Sequence, residues 1–140
     1  GATLFQWLHD KHPEMDMGSI RGVLGRMLFS GEDGDKKCEV LSGGEGVRLT
    51  LSNMMLEEPN VVLLDEPTSH LDLESIQALN ESLQQFNNGC SFFVSHDRQF
   101  VATIAIRIIE IFPGGEIQDF SGNYEDYLKW SEKNGLGAKR

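Results

Sequence analysis

Val61-Val62-Leu63-Leu64-Asp65-Glu66 is a short aliphatic run that ends in two carboxylates. Consecutive apolar residues without alternation predict a strand that is buried on both faces, as in a parallel sheet covered by helices. In open α/β folds, ligands bind at the carboxyl ends of such strands. Asp65 and Glu66 could therefore divide the work of a site, one holding a metal ion and the other polarising a water. The alternative is a strand end followed by a turn at Pro67.

A glycine-containing turn lies upstream of this strand. Leu41-Ser42-Gly43-Gly44-Glu45 leads into residues 44–58, whose apolar positions repeat at helical spacing. A helix N-terminus offers unpaired N–H groups and partial positive charge, and glycines let the backbone approach an anion. Ser42, Gly43 and Gly44 are therefore candidates for binding a phosphate. A plain cap and turn is the alternative, since a helix end contributes only about 0.3–1 kcal/mol to an exposed anion.

Two further polar residues stand at the ends of predicted elements. His96 follows a second apolar strand at 91–95, so we expect it at the same sheet edge as Asp65 and Glu66. An imidazole there could donate a hydrogen bond to a terminal phosphate or orient a water. Asp72 precedes a helical pattern and is expected to cap it. The residues alone leave a purely structural role open for both.

The order of the predicted elements indicates an α/β fold. Helices are expected over 3–11, from a cap at Ser19 to residue 30, over 44–58, from the Asp72 cap to Asn87-Asn88-Gly89, over 98–105 and over 122–133. Strands are expected over 61–65, 91–95, 107–112 and 116–120, the last two joined by a turn. This order predicts a parallel sheet core flanked by helices, with a helical segment ahead of it.

Composition and charge exclude several classes of protein. The 140 residues carry 22 acidic and 12 basic side chains, and the net charge of −10 repels nucleic-acid backbones and anionic lipid surfaces. Cys38 and Cys90 are too few for a metal cluster or a disulfide framework, which favours reduced thiols in the cytoplasm. No apolar run approaches the roughly 20 residues that span a bilayer. The start at Gly1, without a methionine, suggests a segment of a longer protein.

Segments in order along the chain resemble the signature, Walker B, D-loop and switch-histidine motifs of ATP-binding cassette (ABC) ATPases. These are Leu41 to Glu45, Val61 to Glu66, Pro67 to Asp72 and Val94 to Arg98. The glutamate that closes the signature, the His70-Leu71-Asp72 of the D-loop and the tail from Phe120 to Leu128 look most like the ABC-F subgroup. The resemblance covers nearly the whole chain and implies a partial P-loop NTPase-like fold with an ABC helical subdomain.

ABC-F proteins are soluble tandem cassettes that act on the ribosome as translation factors or antibiotic-resistance proteins. The resemblance implies that Glu66 is the general base, that Asp65 serves Mg²⁺ and that His96 senses the γ-phosphate of ATP. The signature residues would contact the γ-phosphate of an ATP held by the opposite cassette: Ser42, Gly43, Gly44 and Glu45.

Asp72 would lie in the D-loop at the interface between cassettes. Two positions depart from the ABC-F pattern. Gly46 stands where a lysine often follows the signature glutamate, although Arg48 keeps a positive charge nearby. Ser69 replaces the commoner asparagine before His70.

The sequence contains no G-x-x-x-x-G-K-[ST] phosphate-binding loop. The resemblance places that loop upstream of Gly1 and divides the chain into a helical subdomain with the signature (1–58), the C-terminal part of the ATPase core (59–134) and a tail (135–140). Phosphoryl transfer depends on positioning and charge stabilisation, so the chain alone is expected to be inactive. A sheet edge left open beside the strand ending at Ser95 predicts homodimerisation or aggregation.

Two other functions share some of these motifs. One is the ATPase subunit of an ABC membrane transporter, and the other is a non-catalytic dimerisation or regulatory ATPase-head module. The second would be flanked by coiled-coil heptads, which do not occur within the chain. The expected partners of the full protein are a second cassette and the ribosome, without direct binding of nucleic acid or membrane by this chain.

Overall fold

The computed structural model describes residues 1–86 and 89–136. They fall into two compact units, Gly1–Val94 and Ser95–Arg140. The first unit holds a group of helices and a parallel strand pair, and the second holds an antiparallel hairpin between two helices. The sequence-based divisions at residues 58 and 134 stay predictions.

The first unit follows the expected order of helices and strands. It contains α1 (Leu4–Lys11), α2 (Met17–Arg26), 3₁₀ turns at Asp33–Asp35 and Cys38–Val40, α3 (Gly43–Leu56), β1 (Val61–Asp65), α4 (Leu73–Gln84) and β2 (Cys90–Val94). Helix α2 packs against both α1 and α3. The buried side chains of these three helices are Leu4, Leu8, Ile20, Val23, Leu24, Leu49, Leu51, Ser52 and Leu56. Burial of one such aliphatic side chain contributes about 1.5–3 kcal/mol.

Helix α2 begins earlier than the sequence indicated. Its N-cap is Asp16, whose Oδ1 accepts hydrogen bonds from the N–H groups of Gly18 and Ser19 at 2.8 and 3.0 Å. The predicted cap at Ser19 was therefore wrong, because the Asp16 carboxylate satisfies two orphan donors of the first turn. Ser19 instead donates its hydroxyl to Asp16 Oδ2 at 2.6 Å. The helix ends at Arg26, shortly before Leu28 turns to a left-handed φ of 61°.

Strands β1 and β2 pair in parallel, with Asp65 opposite Val94 in the register. The parallel sheet is confirmed, but burial on both faces was wrong. Val62 is 3% exposed, whereas Leu63 is 76% exposed. Within the described residues no other strand joins this pair, and the face that carries Val61 and Leu63 is left exposed. The second strand, predicted as buried, likewise leaves Phe92 half exposed, at 51%.

The entry to β2 requires a glycine. The N–H of Cys90 donates to the carbonyl oxygen of Asn60 at 2.9 Å, and a Cβ at Gly89 would lie 1.8 Å from that oxygen. Helix α4 ends at Gln84, capped by Gln85, earlier than expected. Asn87 and Asn88, which were predicted to end it, lie outside the described residues.

The second unit matches its sequence-based prediction closely. It contains α5 (Arg98–Ile104), β3 (Arg107–Ile111), β4 (Ile117–Ser121) and α6 (Tyr124–Lys133). Strands β3 and β4 form an antiparallel hairpin, and Phe120 packs its ring against Tyr127 and Trp130, with centroids 5.6 and 5.4 Å away. Tyr127, which is 2% exposed, donates its hydroxyl to the Glu110 carboxylate. Aromatic packing and this hydrogen bond therefore join α6 to the hairpin.

In the part of the chain that the structure describes, no helix combines the length and apolar character needed to cross a bilayer.

Candidate functional site

Ser42 forms the N-terminus of α3. Its Oγ accepts a hydrogen bond from the N–H of Glu45 at 3.3 Å, and Glu45 Oε2 accepts one from the N–H of Ser42 at 2.7 Å. This reciprocal capping box satisfies two backbone donors at the helix end that carries the partial positive charge of the helix dipole. Gly43 and Gly44 are the first two residues of the helix, where N–H groups have no partner within the helix. The turn is thus built to present backbone donors.

The carboxylate of Glu45 is already engaged. Besides its bond to Ser42, it accepts a hydrogen bond from Lys36 Nζ at 2.6 Å through Oε1. The ammonium of Lys36, followed by the N–H of Ser42, lowers the pKa of Glu45 to about 2. Glu45 is therefore a carboxylate at neutral pH. Its predicted contact with a γ-phosphate stays a prediction, since two negative groups would have to approach each other.

We expect a measurable acid sensitivity from this carboxylate. Because folding depresses the pKa of Glu45 from 4.5 to about 2, the stabilisation is present above pH 4.5 and is lost as the pH falls toward 2. Between pH 5 and pH 2.5, the chain should lose on the order of 1 kcal/mol more unfolding free energy than a Glu45→Gln variant. Urea titrations of both proteins at the two pH values measure this difference. Equal losses would contradict the assigned ion pair.

Lys36 is a residue that sequence analysis missed. It lies in the connector between α2 and α3, and its nine-residue separation from Glu45 matches no helical or strand period. The backbone holds it in place, since its carbonyl accepts the N–H of Leu4 at 3.0 Å. No pattern in the sequence could have paired it with Glu45.

The signature turn packs directly on the D-loop. A Cβ at Gly44 would lie 3.2 Å from the carbonyl oxygen of His70, so the two backbones touch. His70 adopts a left-handed φ of 66°, in a turn where Ser69 N–H donates to Glu66 O at 3.0 Å. A side chain at position 44 would therefore press on the D-loop backbone, which glycine leaves in contact with the signature turn.

Arg48, in the second turn of α3, contacts the residues that follow α2. Its Nη1 donates to the carbonyl oxygens of Met27 and Leu28 at 3.1 and 3.3 Å, and its guanidinium lies 4.8 Å from the ring centroid of Phe29. The positive charge that sequence analysis placed near Gly46 thus links α3 to the C-terminal end of α2.

Asp72 caps α4, as predicted. Its Oδ1 accepts a hydrogen bond from the N–H of Ser75 at 2.9 Å. Hydrogen bonds from the Ser75 side chain and backbone lower the pKa of Asp72, with a smaller contribution from the Arg48 charge. Its role at an interface between cassettes remains a prediction.

Asp65 and Glu66 stand at the carboxyl end of β1. Asp65 is exposed. The N–H of Glu66 donates to the carbonyl oxygen of Val94 at 2.8 Å, which extends the ladder by one residue. Glu66 then turns to a left-handed φ of 45°, and its Oε1 is buried. A left-handed conformation in a non-glycine residue costs about 1–3 kcal/mol and is common at functional sites.

The carboxylates at the end of β1 are of the kind that binds Mg²⁺. Among the described residues, no group of three or more His, Cys, Asp or Glu side chains could hold a metal ion. Mg²⁺ does not need such a cage, because it keeps several waters and binds one or two carboxylates together with substrate phosphates. The exposed carboxylate of Asp65 fits that mode of binding.

His96 belongs to the second unit. It is exposed and precedes α5, whose cap Asp97 accepts hydrogen bonds from the N–H groups of Gln99 and Phe100 at 2.9 and 3.0 Å. The first unit brings the signature turn, the D-loop and the carboxylate pair into one compact body. The predicted convergence of His96 with Asp65 and Glu66 stays a prediction.

The family match and the relatives of this chain indicate the same family. The family described as "ABC transporter" matches residues 4–69. The chain is 49% identical over 128 residues to "Probable ATP-binding protein YbiT" of Escherichia coli O157:H7, covering 91% of this chain and 24% of that protein. It is 55% identical over 128 residues to "Uncharacterized ABC transporter ATP-binding protein YkpA" of Bacillus subtilis, covering 91% and 23%.

A third relative has a name that refers to translation. "Energy-dependent translational throttle protein EttA" of Escherichia coli K12 is 41% identical over 118 residues, covering 84% of this chain and 21% of that protein. The chain thus spans between a fifth and a quarter of the length of these relatives.

A solved structure supports the fold. A chain in the crystal structure of archaeal ribosomal stalk protein aP1 with archaeal ribosome recycling factor aABCE1 superposes with a TM-score of 0.69 at 22% identity, covering 94% of this chain and 27% of that one. This likeness concerns the fold alone. The family match over residues 4–69 and the sequence relatives confirm the resemblance of the chain to ATP-binding cassette proteins of the ABC-F group.

Proposed function

We propose that the full protein is a cytoplasmic ABC-F ATPase that binds and hydrolyses ATP between two cassettes and acts on the ribosome, in translation or in antibiotic resistance. The observation that carries this proposal is the direct packing of Gly44 on the D-loop carbonyl of His70. It joins the signature turn to the loop that starts at Glu66, two of the parts that a cassette presents to nucleotide. The similarity to the translational throttle protein EttA supports the ribosome as target.

Each site residue has a role in this proposal. Glu66 is the general base that polarises the attacking water, Asp65 serves Mg²⁺, and His96 senses the γ-phosphate. Mg²⁺, when bound, neutralises charge that develops on the phosphates. The signature turn faces the γ-phosphate of an ATP held by the other cassette, with Asp72 at the same interface. The turn residues are Ser42, Gly43, Gly44 and Glu45.

The proposed partners follow from this arrangement. A second cassette, in the same or another chain, completes each ATP site, and the ribosome is the target of the full protein. This chain by itself is proposed to lack ATPase activity and to bind neither nucleic acid nor membrane directly. Among the described residues, β1 and β2 pair only with each other, and two copies of the chain are proposed to join along this strand pair.

The ribosomal role is tested with the complete protein carrying Glu66→Gln, which should hold ATP without hydrolysing it. We expect this variant to sediment with ribosomes in the presence of ATP and not of ADP, because closure of two cassettes requires the γ-phosphate. Failure of this variant to sediment with ribosomes in the presence of ATP would contradict the ribosomal role. A complete reading frame with a single phosphate-binding loop would instead favour the ATPase subunit of a membrane transporter.

A further inference from the structure

Lys36 faces the carboxylate of the signature glutamate. Its Nζ lies 2.6 Å from Glu45 Oε1 and 3.8 Å from Asp33 Oδ1. The Lys36 side chain is 37% exposed and that of Glu45 is 19% exposed, so the pair is only partly screened by water. The Lys36 backbone is bonded to Leu4 at the start of α1. The backbone of Lys36 is therefore fixed by α1, and its ammonium reaches the signature turn from outside that turn.

The negative charge of Glu45 explains why a cation is needed at the signature turn. Glu45 is the third residue of α3, within the first turn, whose dipole favours an anionic ligand. An uncompensated carboxylate in that turn would repel the terminal phosphate that the proposed function brings there. The capping box does not require this charge, because glutamine caps a serine turn in the same way as glutamate.

We propose that Lys36 is a positioning residue for ATP: it neutralises Glu45 and holds its carboxylate on Ser42, so that the signature turn can accept a γ-phosphate. This inference rests on the proposed function of the turn. Lys36 acts through Glu45 and need not touch the nucleotide itself.

The test is a double-mutant cycle on ATP hydrolysis by the complete protein. Lys36→Gln should raise the KM for ATP by about threefold to tenfold with little change in kcat, because it leaves the Glu45 charge facing the anion. Adding Glu45→Gln to this variant should bring the KM below that of Lys36→Gln alone, because the repelling charge is gone and the cap remains. Lys36→Arg should retain a normal KM.

A structural role for Lys36 alone predicts a different pattern. The double variant would then be no better than Lys36→Gln, and that result would overturn the proposal. An unchanged KM in Lys36→Gln would also overturn it. Lys37→Gln is the matched control, since Lys37 is exposed and its pairing with Thr3 is a backbone bridge; its KM should not change.

Ser42→Ala separates this inference from the function on which it rests. If Ser42→Ala raises the KM and Lys36→Gln does not, only the role of Lys36 fails. If Ser42→Ala and Gly44→Val both leave ATP hydrolysis unchanged, the proposed function of the signature turn fails, and the role of Lys36 fails with it.

Discussion

In the complete protein, Glu66→Gln is expected to slow ATP hydrolysis by about 100-fold or more while leaving ATP binding intact. A general base contributes about 10²–10⁴-fold to rate, and glutamine keeps the shape of the side chain without its basicity. The buried Oε1 of Glu66 and its left-handed backbone indicate a side chain held in one orientation. Phosphate release at saturating ATP measures turnover, and a fluorescent ATP analogue measures binding.

Glu74→Gln provides the control for this change. Glu74 is an exposed carboxylate in the first turn of α4, eight positions along the chain from Glu66, and the same substitution there should leave turnover unaltered. Normal turnover in Glu66→Gln would remove Glu66 from the role of general base. Loss of ATP binding in that variant would instead point to a structural role.

Gly44→Val is expected to lower turnover by about 100-fold. The first atom of any side chain at this position already lies 3.2 Å from the His70 carbonyl oxygen, so the branched side chain of valine must push the signature turn and the D-loop apart. A misplacement of about 1 Å at a catalytic interface can cost on the order of 10²-fold in rate. The same overpacking should lower the free energy of unfolding by about 1–3 kcal/mol.

Gly46→Ala is the matched control, because a Cβ at Gly46 meets nothing within 4 Å. Alanine replaces glycine inside α3 there, so the variant should be as stable as the unaltered protein or up to about 1 kcal/mol more stable, with normal turnover. Measurements of ATP turnover and of urea unfolding on both variants distinguish a loss of activity from a loss of stability. An active and stable Gly44→Val protein would show that the contact with His70 does not control the signature turn.

The starts of helices could be predicted from sequence where one capping residue stands alone. Asp72 caps α4 as expected, and Ser42 caps α3, which was the alternative left open for its turn. The start of α2 could not be predicted in this way, because two short polar residues compete for it. Asp16 is the cap because its carboxylate accepts hydrogen bonds from two backbone N–H groups at once. The spacing of apolar residues in the sequence does not show this geometry.

Burial of the strands was harder to predict than their existence. The apolar run of β1 predicts a strand, and the strand is there. How many of its faces are covered depends on which other elements lie beside it, and within the described residues only one face is packed, so Leu63 is exposed. A run of aliphatic residues indicates that a strand favours burial, but it does not indicate which other elements will cover that strand.

By itself, the sequence determined the order of helices and strands, the strand that ends at Asp65 and Glu66, and the α3 cap at Ser42. These depend on local periodicity and on donors a few residues from their acceptors. Only the tertiary structure decided that Lys36 meets Glu45 and that Gly44 lies on the carbonyl of His70. Such contacts join residues from separate segments of the chain, and only the packing of the helices around their shared core brings those segments together.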